Sequence, residues 1–97
     1  MTGQSRELVD ILNERLKIIQ DIAAANTEHM RLNQRASGLL VLDLADERDG
    51  IDDHAHEDER ARNEAALEKT MAEIRQLEET LSALDAELEA TAKHEDG

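Results

Sequence analysis

The chain has no Cys, no Pro and no aromatic residue, and only four Gly among 97 residues. Each absence excludes something. Without Cys there is no disulfide frame, no thiolate metal site and no thiol nucleophile. Without Phe, Trp or Tyr there is no platform on which the bases of single-stranded nucleic acid could stack. Without Pro nothing breaks a helix from within. Long apolar runs are also missing, and no stretch approaches the ~18–20 residues that span a bilayer. No basic start followed by an apolar stretch marks a secretion signal. Positive charge is scarce: 11 Lys and Arg face 24 Asp and Glu, a formal net charge of −13. Such a surface repels phosphate, which disfavours direct binding to nucleic acid or to an anionic membrane. A soluble, cytoplasmic protein is the expectation.

What is present points to long helices. Ala, Glu, Leu, Arg and Lys dominate, the composition of coiled coils. The length allows one domain, residues 1–97, and a compact globule of that size buries only a small core. Ser5 can cap a first helix whose opening turn carries Glu7, a charge favoured at that end of the helix dipole. From there a 3-4 repeat runs Val9, Leu12, Leu16, Ile19, Ala23, Asn26, Met30, Asn33, Ser37, Leu40, Leu44. Gly38 is the weak point of this helix, at ~1 kcal/mol relative to Ala. Gly50 suits a turn, and Asp52 or Asp53 suits a second N-cap. A second repeat follows: Leu67, Thr70, Ile74, Leu77, Leu81, Leu84, Leu88, Thr91. Helices over about 5–47 and 53–93, joined by an acidic turn at about 48–52, predict an all-α antiparallel two-helix coiled-coil hairpin.

Folding about Gly50 sets the expected layers. Leu12 falls near Leu88, Leu16 near Leu84, Ile19 near Leu81 and Ala23 near Leu77. Near the turn the match fails, because Leu39 to Leu44 face a segment offering only Ala55 and Ala61. The first helix also carries a second seam one residue out of step: Leu8, Ile11, Arg15, Ile18, Ile22, Ala25, His29, Leu32, Ala36, Leu39. Two seams side by side make a face wider than a two-stranded coiled coil buries. The surplus predicts self-association, two hairpins forming a four-helix bundle, or a groove for a different protein. Leu8, Ile11, Ile18, Ile22, Leu32, Leu39, Val41 and Leu42 are the expected interface with a second copy or partner.

Charge is concentrated at the turn. Residues 1–50 carry a net −3 and residues 51–97 a net −10, and Asp43 to Glu59 alone hold nine acids against Arg48. Such a tip is either a solvated turn or a probe for a basic cleft.

Two long helices joined by the tip Asp49-Gly50-Ile51-Asp52-Asp53-His54-Ala55 resemble the coiled-coil fingers of bacterial RNA-polymerase secondary-channel regulators, the DksA/TraR-type proteins and the Gre factors. The DksA-type tip reads Asp-x-x-Asp-x-Ala, which Asp49 and Asp52 match. Ala55 stands one place late, with His54 where the alanine belongs, and the Cys-rich zinc globule of that family has no counterpart here. The resemblance implies a tip that enters the polymerase channel, with Asp49, Asp52 and Asp53 near the catalytic Mg²⁺.

Other chemistry finds little support. His54 and His56 point to different faces of a helix, and an i,i+4 pair of His54 with Asp58 falls short of a four-ligand zinc site. Arg48 occupies a ligand position in the only stretch resembling a calcium loop. His29 sits in the second seam as an interface layer. Ser5, Ser37 and Ser82 have no base beside them in the pattern, and the four Gly are isolated, so no phosphate loop forms. The sequence therefore predicts no enzyme, no cofactor, no metal and no small-molecule substrate. Three readings stay open. One is an adaptor coiled coil that binds itself, as a homodimer, or a larger protein. The second is a polymerase-channel regulator. The third is an acidic mimic of nucleic acid, presenting Glu64, Glu68, Glu78, Glu79, Asp85 and Glu89 to a basic protein.

Overall fold

The computed structural model describes residues 7–50 and 56–96, the side chains of 94–96 excepted. It is an all-α hairpin of two helices, α1 at Leu8–Arg48 and α2 at Glu57–Asp96, with no strand among the described residues.

The helix ends follow from local hydrogen bonding. The Glu7 carbonyl accepts from the N–H groups of Asp10 and Ile11 at 3.0 and 3.2 Å, so α1 opens at Glu7. Ser5, the expected cap, lies outside the described residues. At the other end the Gly50 N–H donates to the Glu47 carbonyl at 3.2 Å, and Gly50 has φ +76°. That left-handed conformation closes α1 and favours Gly, which has no Cβ to clash. The His56 carbonyl accepts from the Arg60 N–H at 2.9 Å and opens α2. Glu57, Asp58 and Glu59 fill the first turn of α2, where the helix dipole favours negative charge. The expected caps Asp52 and Asp53 lie outside the described residues.

The chain packs as two compact units. The first holds α1 up to Ala24 and α2 from Ile74 onward. Ile11 is fully buried there and Leu84 nearly so. Leu8, Ile18 and Ile22 on α1 and Ile74, Leu77, Leu81, Leu88 and Thr91 on α2 are half-buried. Arg15 Nε donates to Asp85 Oδ1 at 2.6 Å and ties the two helices together.

The second unit is Ala25–Glu73. Its core is mixed: Leu32 and Leu39 are buried with two polar residues, Asn63 and Thr70. Asn63 Nδ2 donates to the Leu32 carbonyl at 3.0 Å. His29 Nδ1 lies 2.7 Å from Thr70 Oγ1. Toward the turn the link becomes ionic. Arg35 meets Glu59 at 3.3 Å, Arg60 Nε stands 3.1 Å from Asp43 Oδ2, and His56 Nε2 lies 3.5 Å from Asp46 Oδ2. The Arg60–Asp43 contact is an ion pair without hydrogen-bond geometry, since Asp43 Oδ2 is buried and accepts no hydrogen bond.

The seam on α2 is the one the heptads predict, and it continues back to Asn63. The seam on α1 is not. The face that meets α2 is the out-of-step one, with Leu8, Ile11, Arg15, Ile18, Ile22, Ala25, His29, Leu32, Ala36 and Leu39 all buried or half-buried. The Leu12-to-Leu88 layering is therefore turned by one residue, about 100° around α1. The physical reason lies in the polar members. Arg15, His29 and Asp43 each find a partner on α2, in Asp85, Thr70 and Arg60, and Asp46 meets His56 just before it. The leucine-rich seam holds no charged residue or His to offer α2.

Candidate self-association face

Turning α1 this way leaves its 3-4 repeat outside. Val9, Leu12, Leu16, Ile19, Met30, Leu40 and Leu44 are all exposed, at 39–62%. Among the described residues they account for most of the exposed large apolar ones, the rest being Val41, Leu42 and Met71. In heptad terms the stripe occupies positions a and d, and the flank beside it, position e, is Asn13, Gln20, Thr27, Gln34 and Val41. These sixteen a, d and e positions between Val9 and Leu44 are all exposed, and none is charged. Charged residues make up 36% of the chain, so a run of sixteen without one is a strong departure.

The charges of α1 stand on its other faces. Asp10, Lys17, Asp21, Arg31 and Arg35 are exposed there. Arg31 donates to both carboxylate oxygens of Glu28, at 2.9 and 2.6 Å. That hydrogen bonding holds the Glu28 carboxyl below its usual pKa and raises the Arg31 guanidinium.

This geometry corrects the expected interface. Ile11, Leu32 and Leu39 are consumed within the chain, and Leu8, Ile18 and Ile22 lie half-buried on the same side. The three buried residues are not free for a second molecule. Only Val41 and Leu42 of that set remain exposed, at 63% and 48%. The cluster near the turn is divided likewise. Leu39 is covered, in a shallow groove of about 420 Å³ that it shares with Ala36, Arg60, Ala61 and Asn63. Leu40, Val41, Leu42 and Leu44 are not covered. His29, expected as an interface layer, is a layer of the hairpin itself.

Asp49 is exposed, 3.4 Å from Arg48 Nε. Asp52, Asp53 and His54 lie outside the described residues. On α2, Glu64, Glu68, Glu78, Glu79, Asp85 and Glu89 are all exposed. Asp85 is engaged by Arg15 and Glu89 by Lys93, so this face is less bare than its composition implies. Among the described residues no three His, Asp or Glu side chains converge as metal ligands. No described helix is long and apolar enough to cross a membrane. No family model matches the chain, and no curated protein or solved structure reaches significant similarity to it.

Proposed function

We propose that this protein is a non-enzymatic coiled-coil hairpin that works by self-association, its α1 stripe packing against α1 of a second copy to make a four-helix bundle. The bundle then serves as an assembly or adaptor element. The observation that carries this reading is the exposed, uncharged face from Val9 to Leu44.

A second copy suits this face for an electrostatic reason. Two chains of −13 repel each other, and the repulsion is least where neither presents charge. A basic partner would instead be drawn to the acids at the turn and along α2. The stripe is also self-complementary, because it sets apolar layers against apolar layers. Completing the burial of a half-exposed Leu, Ile, Val or Met is worth ~1 kcal/mol, and a pair of stripes brings fourteen of them together. Part of that gain is consumed by lost rotational and translational freedom.

Light scattering after size exclusion tests this directly. The 10.9 kDa chain is expected at twice its mass at micromolar concentration. Leu16→Glu and Leu40→Glu, each on the exposed stripe, are expected to give monomers that keep their helicity by circular dichroism. A wild-type chain that stays monomeric at micromolar concentration overturns the reading.

A further inference from the structure

The polar positions within the stripe bear on how two copies would meet. Position d is Asn at 26 and 33, and position a is Ser at 37. All three are exposed on the single chain. In a parallel, in-register pair each residue meets its own copy. Asn26 then faces Asn26, Asn33 faces Asn33, and each amide offers both a donor and an acceptor to its twin. The Leu and Ile layers likewise meet themselves.

Antiparallel pairing matches a layers with d layers and mixes the two kinds. In the register that sets Val9 opposite Leu40, Asn33 faces Leu16 and Ser37 faces Leu12. In the next register, with Leu12 opposite Leu44, Asn33 faces Ala23 and Ser37 faces Ile19. Either way an amide and a hydroxyl are buried against apolar groups, where an unpaired polar group is costly. Asn layers in coiled coils select orientation and register by this asymmetry. The flanks do not oppose it, because position e is uncharged throughout and no like charges are forced across the seam. Parallel pairing also matches each compact unit of the chain with the same unit of its partner.

We propose that the two copies join α1 to α1 in parallel and in register, so that both acidic turns lie at the same end of the assembly. This rests on the self-association reading above and deepens it.

The absence of Cys makes the test clean. Leu12→Cys and Ser37→Cys are prepared separately, one on each compact unit and both at exposed positions. Each is oxidised alone and in an equal mixture, with helicity and mass of the reduced proteins checked first. The proposal expects each variant to form its own disulfide-linked dimer in high yield, with no preference for the mixed species. A reduced dimer that crosslinks only in the mixture, or not at all, overturns the parallel arrangement while leaving self-association standing. A monomeric wild type overturns both. Ser37→Cys changes a single atom, so a failure of Leu12→Cys to associate would still leave an informative variant.

Discussion

Asn63 Nδ2 donates to the Leu32 carbonyl at 3.0 Å, in the most buried part of the Ala25–Glu73 unit, while its Oδ1 is buried without a partner. The residue is thus half-satisfied. A buried acceptor left unmade costs ~1–3 kcal/mol, and one neutral hydrogen bond returns ~1 kcal/mol. Asn63→Leu is therefore expected to stabilise the hairpin by about 1 kcal/mol. Asn63→Asp removes the donor and brings a charge beside a carbonyl, and is expected to destabilise by at least ~2 kcal/mol at neutral pH. Urea denaturation followed by circular dichroism measures both. An Asn63→Leu variant that loses stability would show that the amide contributes more than its one visible bond.

A second polar link fixes a tautomer. Thr70 Oγ1 lies 3.0 Å from the Leu67 carbonyl and 2.7 Å from His29 Nδ1. A hydroxyl has one proton. If it donates to Leu67, the oxygen must accept from His29, so Nδ1 carries hydrogen and neutral His29 is the Nδ1–H form. Nitrogen NMR of the ring is expected to show a protonated Nδ1. Thr70→Val keeps the shape and removes the acceptor. That substitution is expected to cost ~1 kcal/mol and to release the tautomer preference. A ring found as the Nε2–H form would reverse the donor and acceptor in this contact.

The two glycines of the described chain predict opposite effects. A Cβ added at Gly38 meets nothing within 4 Å, and the residue lies inside α1. Gly38→Ala is therefore expected to stabilise by about 1 kcal/mol, or a rise in Tm of roughly 4–8 °C. Gly50 also has open space around it, but its φ of +76° is one that L residues adopt only at a cost. Gly50→Ala is expected to lose about 1 kcal/mol. Thermal denaturation of the two variants side by side separates free volume from backbone conformation.

The hairpin and its register were legible because they depend on simple quantities. The heptads set the helices, Gly50 marked the turn, and the links Arg15–Asp85 and Asp46–His56 sit close to the layering expected from folding about it. The face of α1 that meets α2 is not legible from hydrophobicity alone, which ranks the unbroken 3-4 repeat above its neighbour. The out-of-step seam holds Arg15 and His29, which read as flaws in a core. They are its best evidence, since each stands opposite a complementary group on α2 once the chain is folded. Likewise, the uncharged flank at Asn13, Gln20, Thr27 and Gln34 is visible in the residues but gains meaning only when the adjoining stripe is seen to be exposed.

Salt separates the readings of the acidic surface. The proposed dimer holds two chains of −13 together through uncharged faces, with both acidic turns at one end. Screening lowers the repulsion between them, since the Debye length falls from about 30 Å at 0.01 M to about 10 Å at 0.1 M. Dimer formation is therefore expected to strengthen as salt rises over that range, measured by sedimentation or light scattering. Replacing Asp49, Asp52 and Asp53 together with Asn removes three negative charges from each turn and is expected to tighten the dimer at low salt, with a smaller effect at 0.1 M. A tip that enters a basic or metal-bearing channel behaves in the opposite sense. Its engagement weakens with salt, and the same triple variant abolishes its effect on transcription without changing the mass of the free protein. A dimer that dissociates as salt rises would show that its contacts are ionic and that the uncharged stripe is not what joins the chains.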